Sequence, residues 1–383
     1  MIPSFVRFCA ALLCAGMVLS VAQPSRGADK VFTIPVMLPL TGVGGEYGAG
    51  DKIAVEMAVD EINARGGIDG YKLAYQVYDD GSQPTQAATI MHGLVKDNLV
   101  ILGSTLSGTC KASFPIANAA GVPTVGIESD AAITASNRPW TFNVFLVTQG
   151  VAKSAATKWL AITHAKNVVA IVDKDAAAAT IQAAALLQAL GNSGVKVSRR
   201  IDVSEQQATY TAEADAAKAL NPDGLVISAY PDAAGAIVKA LRGAGMNQPI
   251  LFTTTTVTTD SLKIAGPAMT NGWVSLAAWP GTGGPKKLAF DKNFMKRSKG
   301  LPPEPTASYR YDAVYLVANA LKASGVLTSS KSLEEKRTAL REAIAHGHVD
   351  GASGDWSMNP DGLRSGAGLW AAVKDGKVVI LSK

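Results

Sequence analysis

The opening part of the chain changes its hydrophobic period twice. Residues 31–38 form an apolar segment interrupted only by Thr33, which is typical of a buried strand. Further on, Val55, Val59 and Ile62 recur at helical spacing among charged residues, which predicts an amphipathic helix. Residues 73–80 then alternate between apolar and polar, as a half-buried strand does. The pattern therefore predicts a strand–helix–strand unit.

The same alternation of strands and helices continues well beyond this unit. The predicted elements form two successive blocks: helix 85–98, strand 99–103, helix 111–120 and strand 123–127, followed by helix 150–164, strand 167–173, helix 176–190, strand 195–201, helix 211–220, strand 224–230, helix 233–243 and strand 249–253. Strands that alternate with helices of this length favour parallel, doubly wound sheets. Two such blocks in tandem predict an α/β fold with two similar lobes.

The last part of the chain departs from this alternation. It is predicted to contain strand 273–279, helices 308–323 and 332–346, and a closing hairpin of residues 369–373 and 377–381. Asp375 and Gly376 favour the tight turn of such a hairpin. Turn-rich breaks at 281–284 and 301–305 interrupt the segment. The tail therefore does not fit a simple string of two domains.

Composition and charge argue against several classes of protein. The chain has 383 residues, enough for two ordinary domains, and a formal net charge of +5. No dense stripe of Lys and Arg is interleaved with aromatic residues, so we expect no nucleic-acid partner. His346 and His348 have no Cys or His partner nearby in the sequence, so we expect no metal site.

The first 22 residues have the composition of a secretory signal peptide. Arg7 gives a short positive start, residues 8–21 are apolar, and residues 20–22 are of the type that a signal peptidase prefers. Cleavage after Ala28 is the alternative, although Arg26 at the −3 position argues against it. The segment predicts a secreted protein, most plausibly located in the periplasm.

A cluster of glycines lies between the first strand and the first helix. Dinucleotide-binding proteins carry a G-x-G-x-x-G motif at this position, but here the required later positions hold Tyr47 and other residues. The chain has no Walker A signature and no G-x-S-x-G, and no histidine pairs visibly with a Ser or Cys nucleophile. We therefore expect a flexible turn, no cofactor and no enzymatic activity.

The segment 103–109, with the sequence GSTLSGT, is a different kind of candidate. It lies at the carboxyl end of a predicted strand and directly before a predicted helix. Hydroxyl groups and free backbone N–H groups at such a position can hold an anion or a carboxylate. The alternative is a hydrophilic helix cap, and the two interpretations are compatible.

Several short sequence segments, called sequence words below, resemble those of one family. They are PLTG…YG, AVDEINARGGI and YDD near the start, and SYRYDAVYLVANAL and VDGASGDWSMNPDG near the end. In these words the chain is similar to the periplasmic ligand-binding proteins of branched-chain amino acid ABC transporters, the Leu/Ile/Val-binding type. The resemblance spans nearly the whole chain after the signal segment.

The resemblance implies a type I periplasmic binding protein, in which the chain crosses three times between two doubly wound parallel-sheet lobes. We expect these crossings near residues 147–150, 279–281 and 351–354. The implied division assigns 29–148 and 280–352 to the N-terminal lobe, and 149–279 and 353–383 to the C-terminal lobe. The three crossings would form a hinge, so that a monomer closes on its ligand.

The resemblance also implies a set of ligand-binding residues. In the family, the loop that matches Ser107 and Gly108 and the next strand end hold the α-carboxylate of the ligand. The implied ligand-binding residues are Tyr47, Ser107, Gly108, Glu128, Ser129, Asp130, Tyr230 and Thr255.

Two departures from the family pattern concern the ligand. The carboxylate that binds the ligand ammonium in the family falls within residues 253–256, which here are threonines. The second-lobe tyrosine of the family falls within residues 176–179, which here are alanines. Glu128 and Asp130 would repel a ligand carboxylate unless they are turned away, and they could instead receive an amine or a hydroxyl. We therefore expect a ligand other than leucine.

The function implied by the resemblance is capture and delivery of a solute. The protein would bind a small polar or carboxylate-bearing ligand in the cleft and present it to the permease subunits of an ABC importer in the inner membrane. The alternatives are a periplasmic ligand-sensing receptor without transport and, with less support, an α/β enzyme.

Overall fold

The computed structural model describes residues 30–276, 278–366 and 368–382. The predicted signal peptide and both candidate cleavage sites lie outside these residues. The strands, numbered in chain order, are β1 Lys30–Leu38, β2 Tyr71–Asp79, β3 Ile101–Leu102, β4 Thr124–Gly126, β5 Thr141–Asn143, β6 Asn167–Asp173, β7 Lys196–Val203, β8 Gly224–Ser228, β9 Ile250–Phe252, β10 Gly272–Leu276, β11 His348–Gly351, β12 Gly354–Ser357, β13 Leu369–Lys374 and β14 Lys377–Ser382. The α-helices are α1 Gly45–Ala64, α2 Pro84–Leu94, α3 Ser107–Ala119, α4 Ala131–Ala135, α5 Thr148–Thr163, α6 Ala177–Asn192, α7 Thr211–Ala219, α8 Pro231–Gly243, α9 Thr259–Ala265, α10 Pro285–Arg297, α11 Pro305–Ser324 and α12 Leu333–Ala345.

The first lobe is built on a five-stranded sheet with the order β2-β1-β3-β4-β5. All four strand pairs are parallel, and β1 pairs with β2 over its full length, from Lys30 opposite Tyr71 to Leu38 opposite Asp79. Val55, one of the positions that predicted the amphipathic helix, is fully buried in the core of this lobe. The predicted strand–helix–strand unit is confirmed.

The end of α1 requires glycine for two reasons. Gly67 has a φ of +74°, in the left-handed region that residues with a side chain rarely adopt. A Cβ atom at this position would also lie 2.0 Å from the carbonyl oxygen of Tyr71. The helix ends at the glycine pair, as the sequence predicts, because only glycine allows the chain to turn so closely into β2.

The second lobe is built on a seven-stranded sheet with the order β14-β13-β10-β9-β8-β6-β7. The strands from β6 to β10 pair in parallel, whereas β13 and β14 add antiparallel strands at one edge. Asp375 and Gly376 both have positive φ, 49° and 71°, in the turn between β13 and β14. The closing hairpin and its turn dipeptide are therefore confirmed, as is the α/β class with doubly wound parallel sheets.

The β11–β12 hairpin packs on the first lobe. Trp356 of β12 is buried in the same hydrophobic core as the strands of the first sheet. Asp312 of α11 accepts hydrogen bonds from the backbone N–H of Ala352 (2.7 Å), the backbone N–H of Ser353 (2.9 Å) and the indole of Trp356 (3.2 Å). The segment that follows residue 351 is thus held by a buried carboxyl group of the first lobe.

The segment that follows β12 is also bonded to the first lobe. The backbone N–H of Asn143 in β5 donates to the carbonyl of Gly362 (2.8 Å). Arg364 donates to the carbonyl of Asn143 through its own backbone N–H (3.0 Å). We propose that the third crossing lies after Arg364, between β12 and β13, rather than at residues 351–354.

The pattern of the sequence did not predict all elements. Strands β5, β11 and β12 and helices α4, α9 and α10 are absent from the predicted set. Five of these are short, with three to seven residues, and a segment of that length has too few positions to show a period. None of the helices among the described residues has the length and apolar character needed to cross a membrane.

Candidate functional site

A cavity lies between the two lobes, at the carboxyl ends of strands from both sheets. It contains about 450 Å³ of space free of protein atoms, part of which is open to solvent. The residues that line it are Tyr47, Thr105, Leu106, Ser107, Ile127, Glu128, Ser129, Phe145, Ala178, Tyr230, Thr254, Thr255, Thr258, Pro305 and Thr306. The wall therefore combines hydroxyl groups with aromatic and aliphatic side chains, and it contains no Lys, Arg or His.

The cavity brings together six of the eight residues that the sequence singled out. These are Tyr47, Ser107, Glu128, Ser129, Tyr230 and Thr255. Gly108 and Asp130 do not line the cavity. Gly108 lies in the first turn of α3, one residue beyond the lining Ser107, and Asp130 is the N-cap residue of α4, where its side chain accepts a hydrogen bond from the N–H of Ala132 (3.0 Å).

The loop that precedes α3 is bonded to the side chains of buried charged residues. Thr105 donates to the carboxylate of Asp51 (2.5 Å), and Arg310 donates to the carbonyl of Gly103 (2.8 Å) and to the hydroxyl of Thr105 (3.0 Å). Asp51 and Arg310 are both fully buried. Ser104 donates to Asp80 on the other side of the loop. The loop therefore has a fixed conformation.

Ser107 is the first residue of α3 and presents its hydroxyl at the amino end of the helix. Its Oγ accepts a hydrogen bond from the backbone N–H of Ser129 (2.9 Å), which ties together the two strand ends of the first lobe. The amino end of a helix carries partial positive charge and unpaired N–H groups, and it favours an anionic or carbonyl ligand group. This side of the cavity is thus suited to hydrogen-bond acceptors.

The side chain of Glu128 is fixed by protein groups on the side of α4. Thr134 donates to its Oε1. Its Oε2 has no hydrogen-bond partner among the described residues and lies on the side of Gly126, where a Cβ atom would be 3.4 Å from it. Burial is the main reason why the pKa of Glu128 is raised well above the usual range for a glutamate. Burial therefore disfavours the ionised carboxylate, which makes Glu128 a weaker partner for a ligand ammonium than an ordinary glutamate.

The threonine run in the second lobe divides into two pairs. Thr253 and Thr256 are buried and bonded to each other (2.8 Å), and Thr253 is also bonded to Ser228 (2.8 Å). Thr254 and Thr255 line the cavity. Only the second pair is available to a ligand, which agrees with the choice of Thr255 from the sequence.

A glutamine that the sequence interpretation did not include lies behind this pair. Gln182 of α6 is fully buried, and its Oε1 accepts a hydrogen bond from the hydroxyl of Thr254 (2.8 Å). Its Nε2 donates to the hydroxyl of Ser129 in the first lobe (2.7 Å). A long polar side chain in an alanine-rich helix is a signal that the sequence contains, since such a side chain needs partners when it is buried.

A second polar contact between the lobes involves Glu304, the N-cap residue of α11. Its Oε1 accepts hydrogen bonds from the backbone N–H (3.3 Å) and the hydroxyl of Thr259 in α9. The carboxyl of Glu304 also interacts with that of Glu46. Burial, followed by the interaction with Glu304, raises the pKa of Glu46 to about 10, so this carboxyl pair holds a proton at neutral pH.

A comparison of the chain with models of known protein families identifies its family. Residues 31–376 match the family model described as periplasmic binding protein. The chain belongs to the periplasmic binding protein family. This periplasmic binding protein is therefore a solute-binding protein, and the family resemblance stated from the sequence words is confirmed.

Relatives of this periplasmic binding protein extend over nearly its full length. It is 25% identical over 378 residues to a Leu/Ile/Val-binding protein homologue of Brucella abortus, with 97% of each chain covered. Two solved structures share its fold. One is the branched-chain amino acid transporter substrate-binding protein LivJ from Streptococcus pneumoniae in complex with isoleucine, with a TM-score of 0.81 and 21% identity over 92% of this chain and 100% of that one.

The other is a solute-binding protein of an ABC transporter from R. palustris in complex with benzoate. It has a TM-score of 0.80 and 21% identity, and it covers 93% of this chain and 96% of its own. At such identities the two structures show that this periplasmic binding protein has the type I fold, whereas its ligand has to be argued from its own cavity.

Proposed function

We propose that this protein is the solute-binding component of an ABC importer. It is exported by a signal peptide that ends at Ala22, acts as a monomer in the periplasm, captures a small polar or carboxylate-bearing solute between its lobes, and delivers it to permease subunits in the inner membrane. It has no catalytic role. The family assignment and the relatives from ABC transporters support this role.

The observation that carries the proposal is the cavity itself. Both lobes contribute strand-end residues to it, and the amino end of α3 lies at one side. Because a solute in this cavity contacts both lobes, its binding energy favours the closed arrangement, as transport requires.

The lining supports a solute without an obligatory ammonium group. A buried ammonium needs an anionic partner, because an isolated charge is costly to desolvate. Among the described residues that line the cavity, Glu128 alone has a carboxyl group; it is bonded to Thr134, and burial raises its pKa. Leu106, Ile127 and Phe145 offer apolar contacts, so the lining suits a solute with an apolar body and a polar end.

The proposal is tested with purified protein and a panel of solutes. The panel contains amino acids, aliphatic and aromatic carboxylates, amides and hydroxy acids, and binding is measured by thermal shift and titration calorimetry. A solute that binds should also reduce the radius of gyration in small-angle scattering. If none of these classes binds at millimolar concentration, or if binding leaves the radius unchanged, the proposal is wrong.

Delivery to a permease is tested separately. The solute-loaded protein should stimulate ATP hydrolysis by its cognate ABC importer when that importer is reconstituted in vesicles. Binding without stimulation would favour the alternative of a sensing receptor.

A further inference from the structure

The side-chain amide of Gln182 makes all of its hydrogen bonds to residues of the cavity wall. Oε1 accepts from the hydroxyl of Thr254 (2.8 Å), the backbone N–H of Thr255 (3.3 Å) and, at the limit of distance, the hydroxyl of Thr255 (3.4 Å). Nε2 donates to the hydroxyl of Ser129 across the cleft (2.7 Å). Gln182 is therefore a fixed link behind the surface that a solute would touch.

The orientation of this amide follows from the chemistry of its partners. The backbone N–H of Thr255 can only donate, so the atom that faces it has to be the oxygen Oε1. Nε2 is then the atom that faces Ser129, and because it can only donate, the hydroxyl oxygen of Ser129 has to accept.

This orientation of the amide determines whether each neighbouring hydroxyl donates a hydrogen bond to Gln182 or accepts one from it. Thr254 gives its proton to Gln182, so the oxygen of Thr254 is left with lone pairs that accept. Ser129 accepts from Gln182, so its proton remains to be donated, and the described residues provide no acceptor for it. Ser107 is in the same situation, since its oxygen accepts from the N–H of Ser129. The first lobe thus presents donors to the cavity, and the second lobe presents an acceptor.

We propose that Gln182 is a positioning residue that fixes this hydrogen-bond polarity, so that the solute carries an acceptor and a donor next to each other. Ser129 and Thr254 are bonded to the two ends of one amide group, so the complementary groups of the solute must be close neighbours. A primary amide has this arrangement, and so does a 2-hydroxycarboxylate. The inference rests on the proposed solute-binding role of the cavity.

The wild-type protein tests the inference with pairs of probes of matched shape. The pairs are benzamide and acetophenone, 4-methylpentanamide and 5-methylhexan-2-one, and 2-hydroxy-4-methylpentanoate and 2,4-dimethylpentanoate. In each pair the first member has the donor, and the second has a methyl group in its place. In at least one pair we expect calorimetry to give an affinity about tenfold higher for the member with the donor, since that member alone satisfies Thr254.

Two variants then test the role of Gln182. In Gln182→Met the hydroxyls of Ser129 and Thr254 are free to rotate, so the affinity ratio within a pair should fall towards one. In Gln182→Glu a protonated carboxyl would keep the polarity of the amide, whereas an ionised carboxylate would force Ser129 to donate away from the solute. Affinity for the amide or hydroxy acid should therefore fall at least tenfold when the pH is raised far enough to ionise this carboxyl. Gln188→Met and Gln188→Glu are the matched controls, because Gln188 lies exposed on the same helix.

The outcomes separate the two proposals. A wild-type ratio below about threefold in all pairs, or an unchanged ratio in a folded Gln182→Met variant, overturns the inference and leaves solute binding intact. The inference is also overturned, and solute binding left intact, if none of the paired probes binds but another solute of the broad panel binds. If nothing binds at all, both proposals fail. Because the wild-type ratio needs no variant, a misfolded Gln182 variant does not prevent the test.

Discussion

The ring of Tyr47 packs edge-on against the ring of Tyr230 across the cleft, with centroids 6.3 Å apart and planes inclined by 64°. Tyr47 extends from α1 of the first lobe, and Tyr230 precedes α8 of the second. The phenol of Tyr47 also donates to the carbonyl of Thr255 (3.3 Å). The two tyrosines therefore link the lobes beside the cavity that both of them line.

The aromatic contact gives the first prediction. Tyr47→Ala removes an edge-to-face pair, which contributes about 0.5–1.5 kcal/mol beyond area burial. We expect the ratio of closed to open protein to fall about two- to tenfold, with a larger radius of gyration in small-angle scattering. Tyr47→Phe is the control, since it keeps the ring and loses only a long hydrogen bond. Equal radii for wild type and Tyr47→Ala would contradict the prediction.

The second prediction concerns the hydroxyl of Ser107. Ser107→Ala removes one donor to the solute, which is worth about 0.5–1.5 kcal/mol of binding free energy. It also leaves the N–H of Ser129 without its acceptor, which lowers the free energy of unfolding by about 1–3 kcal/mol with or without solute. Titration calorimetry with the best solute of the panel should show at least a threefold loss of affinity.

Ser113→Ala is the matched control for this variant. Ser113 lies buried in the same helix, does not line the cavity, and donates only to the carbonyl of Thr109 (2.8 Å). Its replacement should leave affinity unchanged. If Ser107→Ala binds as tightly as wild type, the hydroxyl does not contact the solute.

The third prediction is that leucine binds weakly or not at all. The resemblance implies that the acidic residue of the family falls within residues 253–256, which here are threonines. Among the described residues that line the cavity, Glu128 alone has a carboxyl group, and its pKa is raised by burial. Removal of one partner of a buried ion pair costs about 3–5 kcal/mol, or roughly two to four decades of affinity. Micromolar or tighter binding of leucine by the wild type would refute this. Thr255→Glu should gain affinity for leucine, and Thr255→Gln should not.

The fourth prediction is a pH dependence of stability that arises from Glu46. Its pKa is about 10 in the folded protein, against an ordinary value of 4.5, because of burial and the neighbouring carboxyl of Glu304, with weaker contributions from Asp260 and Asp232. The folded protein keeps this proton between pH 4.5 and about 10, whereas the unfolded chain releases it. The contribution is therefore fully present below pH 4.5 and is lost as the pH rises towards 10.

Thermal unfolding between pH 5 and pH 9 tests whether stability falls with rising pH as expected. The melting temperature of the wild type should fall more steeply with pH than that of Glu46→Gln, in which no proton is exchanged. Glu334→Gln is the control, because Glu334 is exposed at the start of α12. Parallel curves for wild type and Glu46→Gln would show that the carboxyl pair is not protonated.

The long, strongly periodic elements could be predicted from the sequence, and the short ones could not. Strand β1 and helix α1 are long enough for their burial pattern to be visible in the sequence. Strand β5 has only three residues, all buried, and its position is fixed by pairing with β4 and by a backbone bond to Gly362. Contacts between residues so distant in the chain leave no local pattern.

The site was predictable where a strand end or a sequence word marked it. Ser107, which follows a predicted strand, lines the cavity, and so do Ser129 and Tyr230, which the family resemblance implied. Gln182 was missed because its function depends on which side of α6 faces the other lobe. The orientation of Glu128 could not be predicted from the sequence either, since it depends on the bond from Thr134 of α4, a helix that packs against α3 and β5.

The hydrogen bond from Gln182 to Ser129 and that from Tyr47 to Thr255 have a consequence for energy coupling in an importer. Both join one lobe to the other through protein atoms alone, so their free energy does not depend on which solute is present. They bring the closed shape closer in energy to the open one, and the solute has to supply only the remaining difference. A protein molecule that closes without solute would compete with solute-bound molecules for the permease. These two hydrogen bonds must therefore be too weak to close the protein on their own.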